Sequence, residues 1–227
     1  MAVHFITSSL SRFQEPKKFR KLRVLEASDL EPLRKGNRGR VDLIPCCLEM
    51  WFGQSAFEKD AYLHRDEPDV LLADAFNKLL AQVQGGYDYI IFDCPPGFST
   101  LARAALRLSD AILSPTIPDQ VSVRSLRDFH EVLVNRLSLS IPARYVLVTK
   151  FYPKNVVHRF MLDRLRRDYN VLGSPIKFSV DIVRATERPT SHSWRTFNEK
   201  YGGQTNVVKL LGRSFLHALE RDAANAA

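Results

Sequence analysis

A carboxylate stands between an apolar run and a proline-rich turn in Tyr87-Asp-Tyr-Ile-Ile-Phe-Asp93-Cys-Pro-Pro-Gly97. The unbroken apolar run before Asp93 predicts a strand buried on both faces, as in a parallel sheet. Asp93 would lie at the carboxyl end of that strand, where open α/β sheets bind their ligands. An aspartate there occupies the Walker B position of a nucleotide-binding fold, where it orients Mg²⁺ on a phosphate. The alternative is a strand that happens to end in Asp before a turn.

The residues that follow Asp93 have less specific signals. Pro95 and Pro96 are expected to shape the turn, because proline fixes φ and cannot continue a strand. Gly97 either brings the backbone close to a phosphate or relieves the turn. Cys94 is expected to be a small buried hydrophobe.

A strongly basic segment spans residues 144–188, with 10 basic and 4 acidic groups. These cations outnumber the local carboxylates that could pair with them, which favours contact with a polyanion. The alternative is a solvated basic face. The candidate residues are Lys150, Lys154, Arg159, Arg164, Arg166, Arg167, Lys177, Arg184 and Arg188.

Alternating helices and strands must position these groups. Apolar residues at helical spacing predict helices over 68–83, 99–108, 121–137, 156–169 and 205–221, with Asp69 as the N-cap of the first. Short apolar runs predict strands over 41–45, 89–92, 111–115, 145–148 and 176–180. This alternation is typical of βαβ units, so the predicted fold class is α/β, a mostly parallel sheet with helices on both faces.

Composition limits the class of protein. The 227 residues are 45% hydrophobic, which is ordinary for a globular chain, and we expect a single domain over 1–227 with an irregular basic segment over 1–40 and a core over 41–221. Three cysteines are too few for a disulfide framework and lack metal-ligand spacing, which indicates a reducing cytoplasm. No apolar run approaches the roughly 20 residues of a membrane span, and the first ten residues do not resemble a signal peptide.

Four motifs in order resemble the ParA/MinD group of deviant-Walker ATPases. The segment YDYIIFDCPPGFSTLARAALRLSDAILSPTIPDQVSVRSL over 87–126 resembles the central part of that group. VDLIP over 41–45 resembles the short strand upstream of Walker B, and YVLVTKFYPKN over 145–155 resembles the strand and loop that follow. IKFSVDIVRATERPTS over 176–191 resembles the loop that closes over the adenine, so the resemblance covers about residues 40 to 220.

The resemblance implies ATP and Mg²⁺ as cofactors and a P-loop NTPase fold. It implies that Asp93 acts on Mg²⁺, mostly through water, and that Pro95, Pro96 and Gly97 lie near the phosphates. Thr149 and Asp181 would contact the nucleotide, although a strand-end threonine that caps the next turn fits Thr149 equally well. The basic residues would bind DNA without sequence preference.

The resemblance also implies a role for the whole protein. It would act in plasmid or chromosome partition as a homodimer with a ParB-like adaptor, in a cytoplasmic, nucleoid-associated location. A membrane-positioning role, as in the MinD branch, is not expected, because the tail over 222–227 is a poor membrane anchor.

One departure from the family is plain. No Lys-Gly-Gly-x-Gly-Lys-Thr loop is present, and a phosphate cradle needs such a loop at a helix N-terminus. We therefore expect that a first βαβ unit is missing and that the chain corresponds to the C-terminal three-quarters of such an ATPase. Three hypotheses follow: a truncated ATPase, a nucleotide-free relative that binds DNA or a partner, or an inactive fragment that folds poorly.

Overall fold

The computed structural model describes residues 48–64, 66–83, 87–94, 97–139, 143–187 and 197–226. They belong to two units that divide between Ser109 and Asp110. The predicted single domain stays a prediction. The basic clusters over 17–21 and 34–40 and the strand expected over 41–45 lie outside the described residues.

The first unit is helical where it is described. It contains α1 (Leu48–His64), α2 (Pro68–Val83) and α3 (Thr100–Arg107). Pro68 begins α2 because a first-turn proline loses no helical hydrogen bond. Leu72 and Phe76 lie one turn apart on α2 and pack with Ala104 of α3 into a buried cluster. The apolar stripe that predicted α2 is therefore its core face.

The predicted strand before Asp93 is absent from the described residues. Residues 87–94 are irregular, and Tyr89, Ile90 and Ile91 are exposed. This prediction was wrong for a physical reason. A strand exists only when its backbone groups pair with a neighbouring strand, and an apolar run by itself does not supply that neighbour.

The second unit contains the sheet. In chain order its elements are β1 (Ala111–Thr116), α4 (Gln120–Asn135), β2 (Ala143–Val148), α5 (Val156–Asp168), β3 (Asn170–Val171), α6 (Val180–Glu187), α7 (Phe197–Tyr201), a 3-10 turn (Gly202–Gln204) and α8 (Thr205–Ala226). The three strands run parallel in the order β1-β2-β3. Ala111 pairs with Ala143 at one end of the β1–β2 ladder and Thr116 with Val148 at the other.

Helices cover both faces of this sheet. Val146 and Val148 of β2 pack against α4 and α5 in one buried cluster. Ala143 and Tyr145 point to the opposite face, where they pack against α8. Side chains that alternate along a strand leave on opposite faces, so β2 is buried from both sides. This confirms the predicted α/β class with a parallel sheet between helices.

Most of the remaining predicted helices and strands are present in the structure, and one predicted strand is not. The helices predicted over 99–108, 121–137, 156–169 and 205–221 are confirmed as α3, α4, α5 and α8, and two predicted strands as β1 and β2. The prediction of a strand over 176–180 was wrong, because the described residues form just an isolated bridge there, between Phe151 and Lys177. Helix α6 begins at Val180, at the end of that segment.

The described helices include none that is long and apolar enough to cross a membrane.

Candidate functional site

Asp93 lies at the end of the irregular segment 87–94, and its side chain is exposed. The neighbouring Cys94 is also exposed, so the expectation of a buried cysteine was wrong. Desolvation by the surrounding protein, and secondarily the charge of Asp93, raise the pKa of the Cys94 thiol. Pro95 and Pro96 lie outside the described residues, and their predicted role is untested.

Gly97 forms the turn into α3. Its φ of +92° lies in the region that favours glycine, and a Cβ built there would meet nothing within 4 Å. Two residues later the Ser99 hydroxyl accepts the N–H of Ala102 at 3.1 Å and caps α3. The backbone conformation supports the turn interpretation of Gly97. Its approach to a phosphate stays a prediction.

A groove of about 400 Å³ lies beside this turn, within the first unit. Its polar lining includes Glu58 of α1 with Thr100 and Arg103 of α3. The Thr100 hydroxyl donates a hydrogen bond to the Glu58 carboxylate. That bond, followed by one from Gln54, lowers the pKa of Glu58. Sequence reasoning missed the groove because it did not predict α1.

Asp69 holds α2 and α3 together instead of capping α2. Its side chain is 8% exposed, and its carboxylate lies 2.7 Å from Nε of Arg107 and 3.5 Å from Nε of Arg103. The residue lies inside the first turn of α2, which begins one residue earlier at Pro68. The N-cap prediction was therefore wrong. Both arginines lie more than 30 positions along the chain, beyond any local signal.

The two nucleotide-contact candidates of the second unit have structural partners. The Thr149 N–H donates to the Thr116 carbonyl at 2.9 Å, which extends the β1–β2 ladder. Asp181 lies in the first turn of α6, and its N–H donates to the Ser179 hydroxyl at 3.2 Å. Its Oδ2 lies 2.9 Å from where a Cβ on Gly202 would stand. Asp181 therefore packs tightly on the turn before α8, and nucleotide contact by either residue is untested.

The basic candidates are exposed wherever the structure describes them. Arg164 pairs with Asp168 at 3.5 Å, and an Nη1 of Arg159 donates to the Pro153 carbonyl at 3.0 Å. Among the described residues, the other basic candidates make no ion pair with a carboxylate. These are Lys150, Lys154, Arg166, Arg167, Lys177 and Arg184, while Arg188 lies outside the described residues.

Secondary structure divides these cations between two regions of the second unit. Lys150 and Lys154 lie in the loop that joins β2 to α5, and the Phe151–Lys177 bridge brings Lys177 to that loop. Arg166 and Arg167 lie in the last turn of α5, where cations interact favourably with the helix dipole. Burial of Met161, Leu162 and Leu165 fixes which face of α5 meets solvent.

The described residues contain no group of three or more His, Cys, Asp or Glu side chains that could hold a metal ion. Asp93 is exposed, and it belongs to no such group among the described residues.

Sequence comparison identifies the family. A family model described as an AAA domain (AAA_31) matches residues 14–140. A ParA family protein of Mycoplasma genitalium is 24% identical over 152 residues, which cover 66% of this chain and 52% of that protein. A ParA family protein of Mycoplasma pneumoniae is 26% identical over 119 residues, or 49% of this chain and 41% of that protein. The chain spans about half the length of the curated relatives it matches.

Structure comparison agrees on the fold. A Borrelia burgdorferi B31 protein assigned to plasmid partition and bound to AMPPNP aligns with a TM-score of 0.56 and 24% identity, covering 79% of this chain and 64% of that chain. A Cyanothece McdA variant in complex with ATP aligns with a TM-score of 0.57 and 14% identity, covering 77% and 65%. The family model spans more than half of the chain, and the relatives agree with it. The chain therefore belongs to this AAA-domain family, as a ParA/MinD-type member of the P-loop ATPases.

Proposed function

We propose that this protein acts in plasmid or chromosome partition and contacts DNA without sequence preference through the basic residues of 144–188. The observation that carries the proposal is the set of exposed cations without carboxylate partners on the β2–α5 loop and α5. Each cation that neutralises a phosphate releases a counterion, which is the main source of non-specific affinity for DNA. The ParA family membership supplies the partition context.

Arg166 and Arg167 are the residues to test first. Both are exposed in the last turn of α5, and neither makes an ion pair among the described residues. Replacing both by glutamine removes two charges without removing buried packing. If both contact phosphates, the slope of log affinity against log salt should fall by about 1.8, because each phosphate contact contributes about 0.9. Fluorescence anisotropy with a duplex of mixed sequence, between about 50 and 200 mM salt, measures this slope.

A matched control lies on α4. Arg124 and Arg127 are exposed, but both face Asp128, at 3.9 and 3.5 Å. The Arg124→Gln/Arg127→Gln variant changes net charge by the same amount and should leave the salt slope close to wild type. Equal effects of the two variants would mean that net charge alone governs binding. No binding by the wild-type chain at low salt would refute the DNA proposal.

ATP and Mg²⁺ form the second candidate, supported by the nucleotide-bound structural neighbours. The described residues do not by themselves fit this pair. Asp93 is exposed and could hold a hydrated ion from one side. Among the described residues, however, it belongs to no group of three or more possible metal ligands, and the described ranges contain no lysine-bearing glycine loop. We therefore derive no catalytic step from this geometry.

Titration with a fluorescent ATP analogue, with and without Mg²⁺, tests this candidate. If Asp93 serves the metal, binding should depend on Mg²⁺ and should weaken at least tenfold in Asp93→Asn. Asp88 provides the control, since it is exposed in the same irregular segment, and Asp88→Asn should bind normally. Without binding to a folded chain, the nucleotide-free interpretation holds, in which the protein is a DNA- or partner-binding member of the family.

The same family supports two further parts of the proposal. A partition protein that binds DNA without sequence preference would be associated with the nucleoid, and it would need a ParB-like adaptor to connect it to its cargo. A homodimer would place two basic segments on one DNA molecule and so raise the effective affinity. Sedimentation of the chain with and without ATP tests the dimer.

A further inference from the structure

Two aromatic rings stack on each other at the surface of the second unit. The rings of Tyr152 and Phe178 lie 5.2 Å apart between centroids with an interplanar angle of 18°. Tyr152 is 46% exposed and Phe178 is 42% exposed. Stacked rings are usually buried, because burial of aromatic surface is a large favourable contribution to folding. A stacked pair that remains half in solvent indicates a surface that receives a partner.

The backbone fixes this pair in place. The Phe151 N–H donates to the Ile176 carbonyl at 3.0 Å, and the Phe178 N–H donates to the Phe151 carbonyl at 3.2 Å. These two bonds join the β2–α5 loop to the segment before α6. Because each ring is carried by one side of this connection, the stack does not depend on side-chain packing alone.

A buried histidine supports Tyr152 from the protein side. His158 of α5 meets the Tyr152 ring edge-to-face at 5.7 Å between centroids. The Tyr152 N–H also donates to Nδ1 of His158 at 3.3 Å. Phe178 stacks with no second ring among the described residues. His158 thus contacts the Tyr152 ring of the stack, while Phe178, which is 42% exposed, offers ring surface to another planar group.

Four cationic residues lie on or reach the two segments that carry the rings. Lys150 and Lys154 lie two positions before and after Tyr152, and Lys177 directly precedes Phe178. The Arg159 guanidinium reaches the same loop through its hydrogen bond to the Pro153 carbonyl. All four side chains are exposed, and none forms an ion pair with a carboxylate in the described part of the chain. This local excess of positive charge favours an anionic partner.

We propose that this aromatic–basic surface (Tyr152, Phe178, Lys150, Lys154, Lys177 and Arg159) binds single-stranded nucleic acid. An unpaired base would stack on Phe178 and extend the existing stack by one layer, while the lysines and Arg159 contact adjacent phosphates. This inference rests on the proposed function, and it narrows the ligand of this surface from DNA in general to single-stranded nucleic acid. A duplex keeps its bases stacked on each other, so it can use the cations of this surface but not the rings.

Charge disfavours the other occupants within this protein. A second copy would bring the same cations against one another. The segment 1–40 of the chain carries 10 basic and 4 acidic residues, so it has the same sign as the surface. A single strand combines unstacked aromatic bases with regularly spaced negative charge, and it complements both features of the surface at once.

Fluorescence anisotropy on the full chain tests the proposal. The probes are labelled oligomers of thymidine and of uridine, each about 20 nucleotides long, and a duplex of equal length. Phe178→Ala should weaken binding of the single strands about tenfold and change duplex binding less than twofold. Phe178→Trp should restore binding, and its indole fluorescence should be quenched by the single strand. Comparing the thymidine and uridine oligomers distinguishes DNA from RNA.

Phe160 provides the matched control. It is 59% exposed on α5 but has no stacking partner among the described residues. Phe160→Ala removes the same side chain and should leave single-strand binding unchanged. Lys177→Gln is a second variant that leaves both rings in place, and it should weaken binding of both the single strands and the duplex. Thermal melts of all variants verify that they are folded.

Several outcomes would overturn the inference. Equal losses for single strand and duplex in Phe178→Ala would leave the DNA proposal intact but would show that the rings do not recognise unpaired bases. If an ATP analogue displaced the bound oligomer, the rings would be the binding site for the base of a nucleotide. The surface would instead be a lipid-binding surface if the chain bound vesicles of anionic phospholipid but not the oligomers, and if Phe178→Ala abolished that binding. If the wild-type chain binds neither single strand nor duplex, the proposed function fails as well.

Discussion

The side chain of Tyr145 makes long-range contacts that its neighbours in the sequence do not indicate. Tyr145 lies in the middle of β2 and is fully buried, yet its hydroxyl reaches two groups on α8. It donates to the Ala218 carbonyl at 3.1 Å and also bonds the Asp222 carboxylate. The ring meets Phe215 edge-to-face at 5.9 Å between centroids. One side chain thus joins the sheet to the last helix by both packing and hydrogen bonds.

We predict that the wild-type protein loses stability at alkaline pH because Tyr145 ionises, and that Tyr145→Phe abolishes this loss. Desolvation first, and the Asp222 carboxylate second, raise the pKa of Tyr145 from 10.0 to about 12. The unfolded chain loses this proton near pH 10, whereas the folded chain retains it until about pH 12. The stabilisation is therefore full below pH 10 and is lost as pH rises from 10 to 12. Urea unfolding of both proteins across this pH range measures the difference.

At neutral pH the same variant should be less stable by about 1–2 kcal/mol, because the hydroxyl makes buried hydrogen bonds. Tyr152→Phe is the control, since Tyr152 is half exposed and its ring packing is retained. An alkaline transition that persists unchanged in Tyr145→Phe would assign the loss to another group.

At the scale of elements, the predicted helices show how far sequence periodicity reaches. Helices α2, α4, α5 and α8 were predicted because each buries one apolar stripe, and that stripe is visible locally. Helix α1 was missed because its aromatic and apolar residues do not fall on one side, and Tyr62 and Leu63 are exposed in the described structure. The strand before Asp93 and the strand over 176–180 failed because strand pairing depends on residues far along the chain.

The α2–α3 pair gives a prediction at this scale. Asp69 of α2 is the buried anion between Arg103 and Arg107 of α3. We expect Asp69→Asn to lower the free energy of unfolding by about 2 kcal/mol, less than the 3–5 kcal/mol of a fully buried broken pair, because both arginines retain some solvent contact. Chemical denaturation measures the change.

Glu67 contacts the same Arg107 from the surface and supplies the comparison. It lies 3.7 Å from the guanidinium and is 75% exposed. Glu67→Gln should cost less than about 0.5 kcal/mol, because exposed ion pairs contribute little. Equal destabilisation by the two variants would mean that burial of Asp69 is unimportant to the pair.

At the scale of the whole molecule, sequence motifs alone are sufficient to predict the family of this chain. Motifs over 87–126 and 145–155 carried that assignment, and the family match over 14–140 confirmed it. The candidate site was less predictable. Lys150 and Lys177 are 27 positions apart, and no local pattern shows that a bridge at Phe151 brings them together. Tyr152 and Phe178 were missed for the same reason.

The position of β2 has a consequence for molecular recognition. Val146 and Val148 are fully buried, and their carbonyls accept the N–H groups of Leu172 and Ile176 at 2.8 Å. The loop that bears Tyr152 begins directly after this strand and is held to the segment before α6 by the backbone hydrogen bonds from Phe151 to Ile176 and from Phe178 to Phe151. A ligand that docks on the loop meets a surface already ordered in the free protein, so little conformational entropy is lost on association.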